Sequence, residues 1–412
     1  MIRDRSKRFD WGTYLANDGI TRRTMLDYLA AGGLAAGAAG MAPLSAFGAP
    51  KDEVVRIGYI PITDATALLV AHAKGYFEDE GLQAERPTLI RGWSPLVEAF
   101  AAGKFNLVHL LKPIPVWMRY NNNFPVKIMA WAHTNGSGMV VGKHTDIENF
   151  AELGGKQIAV PYWYSMHNVV LQIALRGAGI RPVIKDQSEQ LAADECNLLI
   201  MPPPDMPPAL AAQKIDGYIV AEPFNAAGEL MAGARMLRFT GDIWKNHPCC
   251  VVCMNEHEVA ARPEWSQKVL NAVVRAEIYA SQNKAEVAEL LSRDGAGYLP
   301  MPANVVKHAM TAYDLETYGA SEAIRHPEWQ TGRIDFQPWP YPSATRLIVE
   351  AMNNTVVGGD TTFLKNLDPD FVARDLVNYD HVKAAIDQYP EWLNSPSVDA
   401  ASPFEREEIV AL

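Results

Sequence analysis

Strand and helix patterns alternate twice along this chain, and this alternation restricts its fold more than any other feature. In the first block, a β-branched run at residues 54–60 precedes a predicted helix that ends near Gly75, and further strands and helices follow to residue 142. The alternation restarts after Lys143 and continues to residue 248. Such alternation is typical of mostly parallel sheets covered by helices. The sequence therefore predicts an α/β protein with two lobes, at residues 54–142 and 143–248.

The remaining residues, 249–412, are predicted to return to the first lobe and then to form a helical extension. Residues 249–254 have the pattern of a strand, and the chain is mostly helical from Pro263 onward. Two α/β lobes joined by two crossings enclose a cleft. Ligands of open α/β sheets bind outside the carboxyl ends of the strands, and closure about a hinge is the expected motion.

The N-terminal segment has the pattern of an export signal. Thr21-Arg22-Arg23-Thr24 precedes an apolar run rich in Ala and Gly at residues 25–48. A twin-arginine pair before a weakly apolar run indicates twin-arginine export to the bacterial periplasm. We expect residues 1–49 to be removed, with cleavage near Leu44-Ser45-Ala46 or Ala46-Phe47-Gly48. The run is about as long as a membrane span, so an uncleaved anchor is the alternative.

The charge of the mature chain excludes two classes of partner. Residues 1–49 hold six basic and four acidic side chains, so their removal leaves 31 basic and 44 acidic residues and a net charge of −13. An acidic surface argues against nucleic acid and against anionic membranes as partners.

The four cysteines are predicted to be buried free thiols. Three of them, Cys249, Cys250 and Cys253, fall in the predicted return strand, and the fourth is Cys196. Alternation along a strand places Cys249 and Cys253 on one face and Cys250 on the other, which opposes a Cys250–Cys253 disulfide. A zinc site built on His247, Cys250 and Cys253 lacks a second ligand pair at usable spacing. We therefore expect neither a metal ion nor a cofactor.

Seven short segments carry a family resemblance through their order and spacing: residues 56–64, 74–77, 81–82, 201–204, 216–225, 243–248 and 336–342. Together they resemble the nitrate/bicarbonate/sulfonate-type solute-binding proteins of ABC transporters, over about residues 54–375. The resemblance implies a type II periplasmic-binding-protein fold with two lobes, a hinge and a cleft. It also implies a monomeric, non-enzymatic receptor that carries a small solute to a membrane permease and its ATPase.

The resemblance also implies a set of ligand-binding residues. Trp93 and His167 match the family, as does the backbone of Ala221 and Glu222. Where nitrate receptors use a Gln, this chain has Thr134, with Asn135 and Ser137 beside it; where they use a Lys, it has Cys250.

Chemistry alone supports some of these assignments. His167 follows Ser165, a predicted helix cap, by two residues and can reach a ligand at that helix N-terminus. Thr63 and Asp64 are instead predicted to cap the first helix. The missing Lys and Gln predict weak nitrate binding and a better fit to a neutral or larger organic solute with a sulfur- or nitrogen-containing group.

Two other functions are compatible with the sequence. The protein could be the ligand-sensing partner of a membrane receptor. It could also be an enzyme that resembles the thiamine-pyrimidine synthases, which share this fold and carry a Cys-rich motif similar to Cys249-Cys250-Val251-Val252-Cys253. Those enzymes are intracellular, so the export signal favours the receptor.

Overall fold

The structure, a computed structural model, describes residues 54–412. The predicted export signal and its cleavage sites lie outside the described residues. Within residues 54–412, no helix combines the length and the apolar character that crossing a membrane requires.

The first lobe is built on a five-stranded sheet. In spatial order its strands are Thr88–Leu89, Ile57–Tyr59, Leu107–Leu111, Cys250–Asn255 and Val126–Trp131. The first three are parallel, and Cys250–Asn255 is antiparallel to both of its neighbours. After the second lobe the chain thus pairs with this sheet as a strand, and the paired strand begins at Cys250 rather than Cys249.

The second lobe is built on a six-stranded sheet. Its strands are, in order, Arg181–Val183, Glu195–Ile200, Gln157–Val160, Gly217–Ala221, Ser137–Val141 and Arg235–Phe239. The sequence pattern predicts a strand at residues 139–141, and the predicted lobe boundary at residue 142 assigns this strand to the first lobe, which is wrong. Ser137–Val141 pairs antiparallel with both Gly217–Ala221 and Arg235–Phe239. A fully buried apolar strand has no exposed face, so its sequence pattern does not indicate which sheet it joins.

Helices cover both sheets and make up most of the extension. Their bounds are Thr66–Ala73, Tyr76–Asp79, Trp93–Ala101, Pro113–Tyr120, Met166–Gly177, Met206–Ala211, Phe224–Ala227, Glu256–Ala261, Pro263–Gln282, Lys284–Leu291, Ala303–Thr311, Leu315–Tyr318, Pro342–Asn353, Pro369–Asp375 and Tyr379–Ile386. The sequence pattern of residues 147–153 also predicts a helix, but the structure has only a short 3-10 turn there, Phe150–Leu153, because the Asn149 side chain caps its start and Gly154 continues in extended backbone.

The C-terminal extension contacts both crossings between the lobes. The first crossing is residues 132–136, between the strands Val126–Trp131 and Ser137–Val141, and the second is residues 240–249, between Arg235–Phe239 and Cys250–Asn255. Ile334–Asp335 pairs antiparallel with Thr134–Asn135, on the first crossing, in a separate two-stranded sheet. On the second crossing, the Lys245 N–H donates to the Ile409 carbonyl at 3.0 Å, and the Ala411 N–H donates to the Ile243 carbonyl at 2.9 Å. The extension therefore covers the hinge and is not an independent appendage.

Candidate functional site

A buried group of polar side chains lies where the two crossings meet the two sheets. We call it the cleft cluster, and its members are Asp64, His133, Ser137, His167, Cys249 and Cys250. They come from the 3-10 turn Thr63–Ala65, from the crossings and the first residues of the strands that follow them, and from the start of the helix Met166–Gly177. Ionisable groups concentrated in the interior carry a desolvation cost, so such clusters mark candidate functional sites.

Asp64 is the acidic member of the cleft cluster. Its Oδ2 lies 2.9 Å from His133 Nε2, and the Cys250 Sγ–H donates to the same Oδ2 at 3.1 Å. The prediction that Thr63 and Asp64 cap the first helix is wrong. No side-chain hydrogen bond caps the start of Thr63–Ala65 or of Thr66–Ala73, because Asp64 faces His133 while Thr63 donates to the Glu222 carbonyl.

Burial and pairing set the charges of Asp64 and His133. Burial raises the pKa of the Asp64 carboxyl to about 6, although the His133 charge opposes this rise. For His133, burial acts to lower the pKa, but the Asp64 charge and hydrogen bond outweigh it and raise the pKa to about 10. The two groups therefore form a buried ion pair at neutral pH.

Ser137, His167 and Cys249 form the second half of the cleft cluster. Ser137 Oγ and His167 Nε2 lie 2.9 Å apart, and Cys249 Sγ lies 3.7 Å from Ser137 Oγ and 3.8 Å from His167 Nε2. The predicted cap is confirmed, because Ser165 Oγ accepts from the Asn168 N–H at 3.0 Å. The cap fixes the first helical turn so that His167 faces the cluster.

Cys249 is the thiol that the surroundings favour as a thiolate. Burial acts to raise its pKa, but the hydrogen bond from Cys250 and the His167 charge outweigh burial and hold the pKa well below its usual range. For Cys250, burial and the bond to Cys249 raise the pKa well above its usual range. The surroundings thus shift the pKa values of the two neighbouring thiols in opposite directions.

All four cysteines are free and buried, which confirms the prediction of unpaired thiols. The expectation that Cys249 and Cys250 point to opposite sides is wrong, since the atoms Cys249 Sγ and Cys250 Sγ both belong to one group of potential ligand atoms within 4.8 Å of one another. Strand alternation does not apply to Cys249, because the paired strand begins only at Cys250.

Trp93 and His109 border the cleft cluster on the side of the first sheet. Trp93 is the first residue of its helix, and its ring meets the His109 ring edge to face, with the centroids 5.6 Å apart. His109 Nε2 accepts from the Ile60 N–H at 3.0 Å, and burial lowers the pKa of His109 to about 3. His109 is therefore a neutral acceptor that positions Trp93 and the loop leading to Asp64.

Several buried polar atoms around the cleft have no hydrogen-bond partner within the described residues. They are Asp64 Oδ1, Trp93 Nε1, Thr134 Oγ1 and His167 Nδ1. An unpartnered buried donor or acceptor costs about 1–3 kcal/mol. These atoms are the groups that a bound solute or an ordered water would satisfy.

The other predicted site residues lie on the first crossing or at the end of the second-lobe strand Gly217–Ala221. Asn135 has a left-handed backbone with φ of 57°, and its Nδ2 lies within hydrogen-bonding distance of Asn246 Oδ1 at 3.3 Å. Ala221 is the Cα partner of Ser137, where the last residue of the strand Gly217–Ala221 lies opposite the first residue of Ser137–Val141. The Glu222 carboxylate forms an ion pair with Arg333, with a closest N–O distance of 2.6 Å. Its side chain therefore belongs to the contacts of the hinge and not to the cleft cluster.

Sequence reasoning missed His109, His133 and Cys249 and gave Asp64 a different role. His133 does carry a usable signal, because it follows the strand Val126–Trp131 at its carboxyl end, where sites of α/β sheets lie. No local sequence pattern predicts that His133 pairs with Asp64, since the two residues are far apart in the sequence.

The fold and the cleft cluster define a two-lobed α/β protein with buried polar groups between its sheets, and comparisons with known proteins identify its family. Residues 48–292, more than half of the chain, match the NMT1-like family, and the chain belongs to it. It is similar to the nitrate/nitrite binding protein NrtA of Nostoc sp., with 28% identity over 278 residues, 62% of this chain. That match spans 61% of the Nostoc protein.

Solved structures show the same architecture. The periplasmic nitrate-binding protein NrtA from Synechocystis PCC 6803 has a TM-score of 0.68 at 18% identity, and the match covers 86% of this chain and 97% of that one. The desulfurization enzyme DSZB has a TM-score of 0.51 at 15% identity, covering 82% and 99%. The predicted type II periplasmic-binding-protein fold, with a helical extension, is confirmed, as is the predicted resemblance. Because the fold also occurs in an enzyme, it does not by itself define an activity.

Proposed function

We propose that this protein is the periplasmic solute-binding component of an ABC importer. It would bind a small nitrogen-, sulfur- or carbon-containing solute as a monomer, and a membrane permease with its ATPase would receive that solute. The observation that carries the proposal is the set of unpartnered buried polar atoms between two α/β lobes. Its membership of the NMT1-like family and its similarity to proteins named as nitrate receptors support this function.

We further propose export through the twin-arginine route and closure of lobes at about residues 54–142 and 143–248, with the strand Ser137–Val141 belonging to the second lobe. The Arg22-Arg23 pair supports the export route. Replacing both arginines with lysine and fractionating the cells tests it; a normal periplasmic amount of the variant would contradict it.

The charges of the cleft cluster disfavour a small inorganic anion as the solute. Among the described residues that form the cluster, none is a lysine or an arginine, and Asp64 adds a buried carboxylate. Cys250 donates to Asp64, and so does not serve as a cationic anchor. A charge-assisted hydrogen bond from a lysine contributes about 1.5–3 kcal/mol, which this site lacks. A neutral or larger organic solute with a nitrogen- or sulfur-containing group fits better.

A thermal-shift screen of the purified protein, followed by isothermal titration calorimetry at neutral pH, tests the function. The panel should contain oxyanions, sulfonates, amides and pyrimidines. We expect an organic member to bind tightly without being consumed, and nitrate to bind weakly or not at all. Micromolar affinity for nitrate would contradict the proposed solute class, and a panel without any binder would contradict the receptor function itself.

His167 and Trp93 should each contribute to binding of the identified solute. Replacing either with alanine removes a potential donor from a desolvated site, which should weaken binding by about 1–3 kcal/mol, or about 5- to 150-fold. His144→Ala is the matched control, because His144 is exposed and outside the cleft. Unchanged affinity in folded His167→Ala and Trp93→Ala proteins would show that the solute binds elsewhere.

One observation favours an enzymatic alternative. Cys249, whose pKa is lowered, lies 3.8 Å from His167 Nε2, an arrangement that can activate a nucleophilic thiol. The same titrations distinguish the two functions, because an enzyme would convert the compound that it binds. Chromatography of each positive mixture after incubation would reveal such a product.

A further inference from the structure

We propose that Asp64, His133, Cys249 and Cys250 form a binding site for a thiophilic divalent cation of the zinc type. Each residue offers one ligand atom, and these four atoms lie within 4.8 Å of one another. All four side chains are fully buried. One imidazole, two thiols and one carboxylate are the donors that zinc takes in proteins, and four of them complete its tetrahedron.

The spacing of the donors fits a tetrahedral ion after small movements. Zinc–ligand bonds of about 2.0–2.3 Å place two donors of a tetrahedron about 3.3–3.8 Å apart. The His133 Nε2–Asp64 Oδ2 distance is 2.9 Å, and the Cys250 Sγ–Asp64 Oδ2 distance is 3.1 Å. Hydrogen bonds hold these donors slightly closer than an ion would, so binding requires a shift of under about one ångström, with His133 and a thiol giving up their protons.

The surroundings of the four donors include the groups that orient metal ligands. Ser137 Oγ and His167 Nε2 lie beside Cys249 Sγ, at 3.7 and 3.8 Å, where they can donate to a thiolate. His133 Nδ1 is buried and unpartnered among the described residues, as are both carboxyl oxygens of Glu277. A metal-binding histidine donates its other N–H to such an acceptor, directly or through water. Glu277 lies close enough to His133 for the His133 charge to act on its pKa, so its carboxyl group is the acceptor that we assign to this N–H.

The donor chemistry selects the class of ion. Mg²⁺ and Ca²⁺ prefer sets made of oxygen ligands, whereas two thiols favour zinc-like ions. Because protein atoms fill all four positions, the ion would be structural, joining the Asp64 loop of the first lobe to both crossings. This inference does not depend on the identity of the solute, so either proposal can fail alone.

Titration of the metal-stripped, reduced protein with Co²⁺ tests the site, because tetrahedral thiolate coordination gives intense visible bands and a sulfur-to-cobalt charge-transfer band. We expect these bands to saturate at one Co²⁺ per chain and to disappear when Zn²⁺ is added. We also expect zinc to raise the Tm, since an ion that binds only the folded state stabilises it.

Variants assign the bands to particular residues. Cys249→Ser/Cys250→Ser should lose the charge-transfer band, and Asp64→Asn should weaken Co²⁺ binding while keeping that band. Cys253→Ser is the matched control: Cys253 is also buried in the return strand but does not belong to the four donors. Circular dichroism of each variant separates loss of the site from loss of the fold.

Three results would overturn the proposal. The first is a wild-type protein that shows no charge-transfer band at stoichiometric Co²⁺. The second is a folded Cys249→Ser/Cys250→Ser protein that keeps the band. The third is a Cys249–Cys250 disulfide, detected by mass spectrometry in protein isolated without reductant, which would give the two thiols a redox role instead.

Discussion

Replacing Arg333 with alanine is expected to lower the free energy of unfolding by about 3–5 kcal/mol, the cost of breaking a buried ion pair from one side. The Arg333 side chain is fully buried, and its Nη2 lies 2.6 Å from Glu222 Oε1 and 2.7 Å from Glu229 Oε2. Its Nη1 also donates to Tyr318 Oη at 2.9 Å. Removal of the guanidinium leaves the fully buried Glu222 carboxylate without its cation, and it also takes the Arg333 contact away from Glu229, which is only partly buried.

The position of Arg333 makes this network part of the hinge. Its carbonyl accepts from the Gly136 N–H at 2.8 Å, and the next two residues pair with Thr134–Asn135. Glu222 directly follows the second-lobe strand Gly217–Ala221, and its carbonyl accepts from the Thr63 N–H of the first lobe at 2.8 Å. We therefore expect Arg333→Ala to loosen the hinge as well as to reduce stability.

Urea unfolding at neutral pH measures this effect, with Arg346→Ala as the control. Arg346 pairs with Asp370, but the two side chains are 46% and 56% exposed, so this pair should contribute no more than about 1 kcal/mol. Equal urea midpoints for Arg333→Ala and Arg346→Ala would show that the buried network does not stabilise the hinge.

The sequence predicted those parts of the fold that depend on local patterns. Alternating strands and helices indicated the two lobes, and the β-branched run with three cysteines indicated the return strand, which is Cys250–Asn255 in the structure. Ser165 was recognisable as a cap because the hydrogen bond spans only three residues, from Ser165 Oγ to the Asn168 N–H. In each case the physical cause lies within a few neighbouring residues.

The site was less predictable because its contacts join distant parts of the chain. Asp64 has the sequence context of a helix cap, and only the fold brings it to His133, 69 positions later. Glu222 was expected near a ligand, but its partner Arg333 lies 111 positions along the chain. The sequence did single out Ser137 and His167, which the structure places 2.9 Å apart. The family resemblance indicated both, and for His167 the position after the Ser165 cap added a local argument.

Glu277 supplies the second large effect, a dependence of stability on pH. This residue lies fully buried in the helix Pro263–Gln282, which packs against Thr66–Ala73, and neither carboxyl oxygen has a hydrogen-bond partner within the described residues. Burial raises the pKa of Glu277 well above its usual value, and the His133 charge opposes this only in part. The folded protein therefore keeps a proton that the unfolded chain releases above pH about 4.3.

The sign of the effect follows from this difference. Because the folded pKa is the higher one, the contribution of Glu277 to stability is complete below the unfolded pKa and is lost as the pH rises toward the folded pKa. Over that interval the free energy of unfolding falls by about 1.4 kcal/mol per pH unit. Glu277→Gln, which cannot ionise, should remove this slope, so that between pH 5 and pH 8 the variant gains up to about 4 kcal/mol relative to the wild type.

Urea unfolding of chelator-treated protein at several pH values between 5 and 8 measures the difference. Treatment with a chelator keeps metal ions away from His133, whose own titration is common to both proteins and cancels in the comparison. Glu264→Gln is the matched control, because Glu264 lies on the same helix but is exposed. Parallel pH profiles for the wild type and Glu277→Gln would contradict this prediction. They would mean that the Glu277 carboxylate is already ionised in the folded protein and that solvent or a charged partner compensates it.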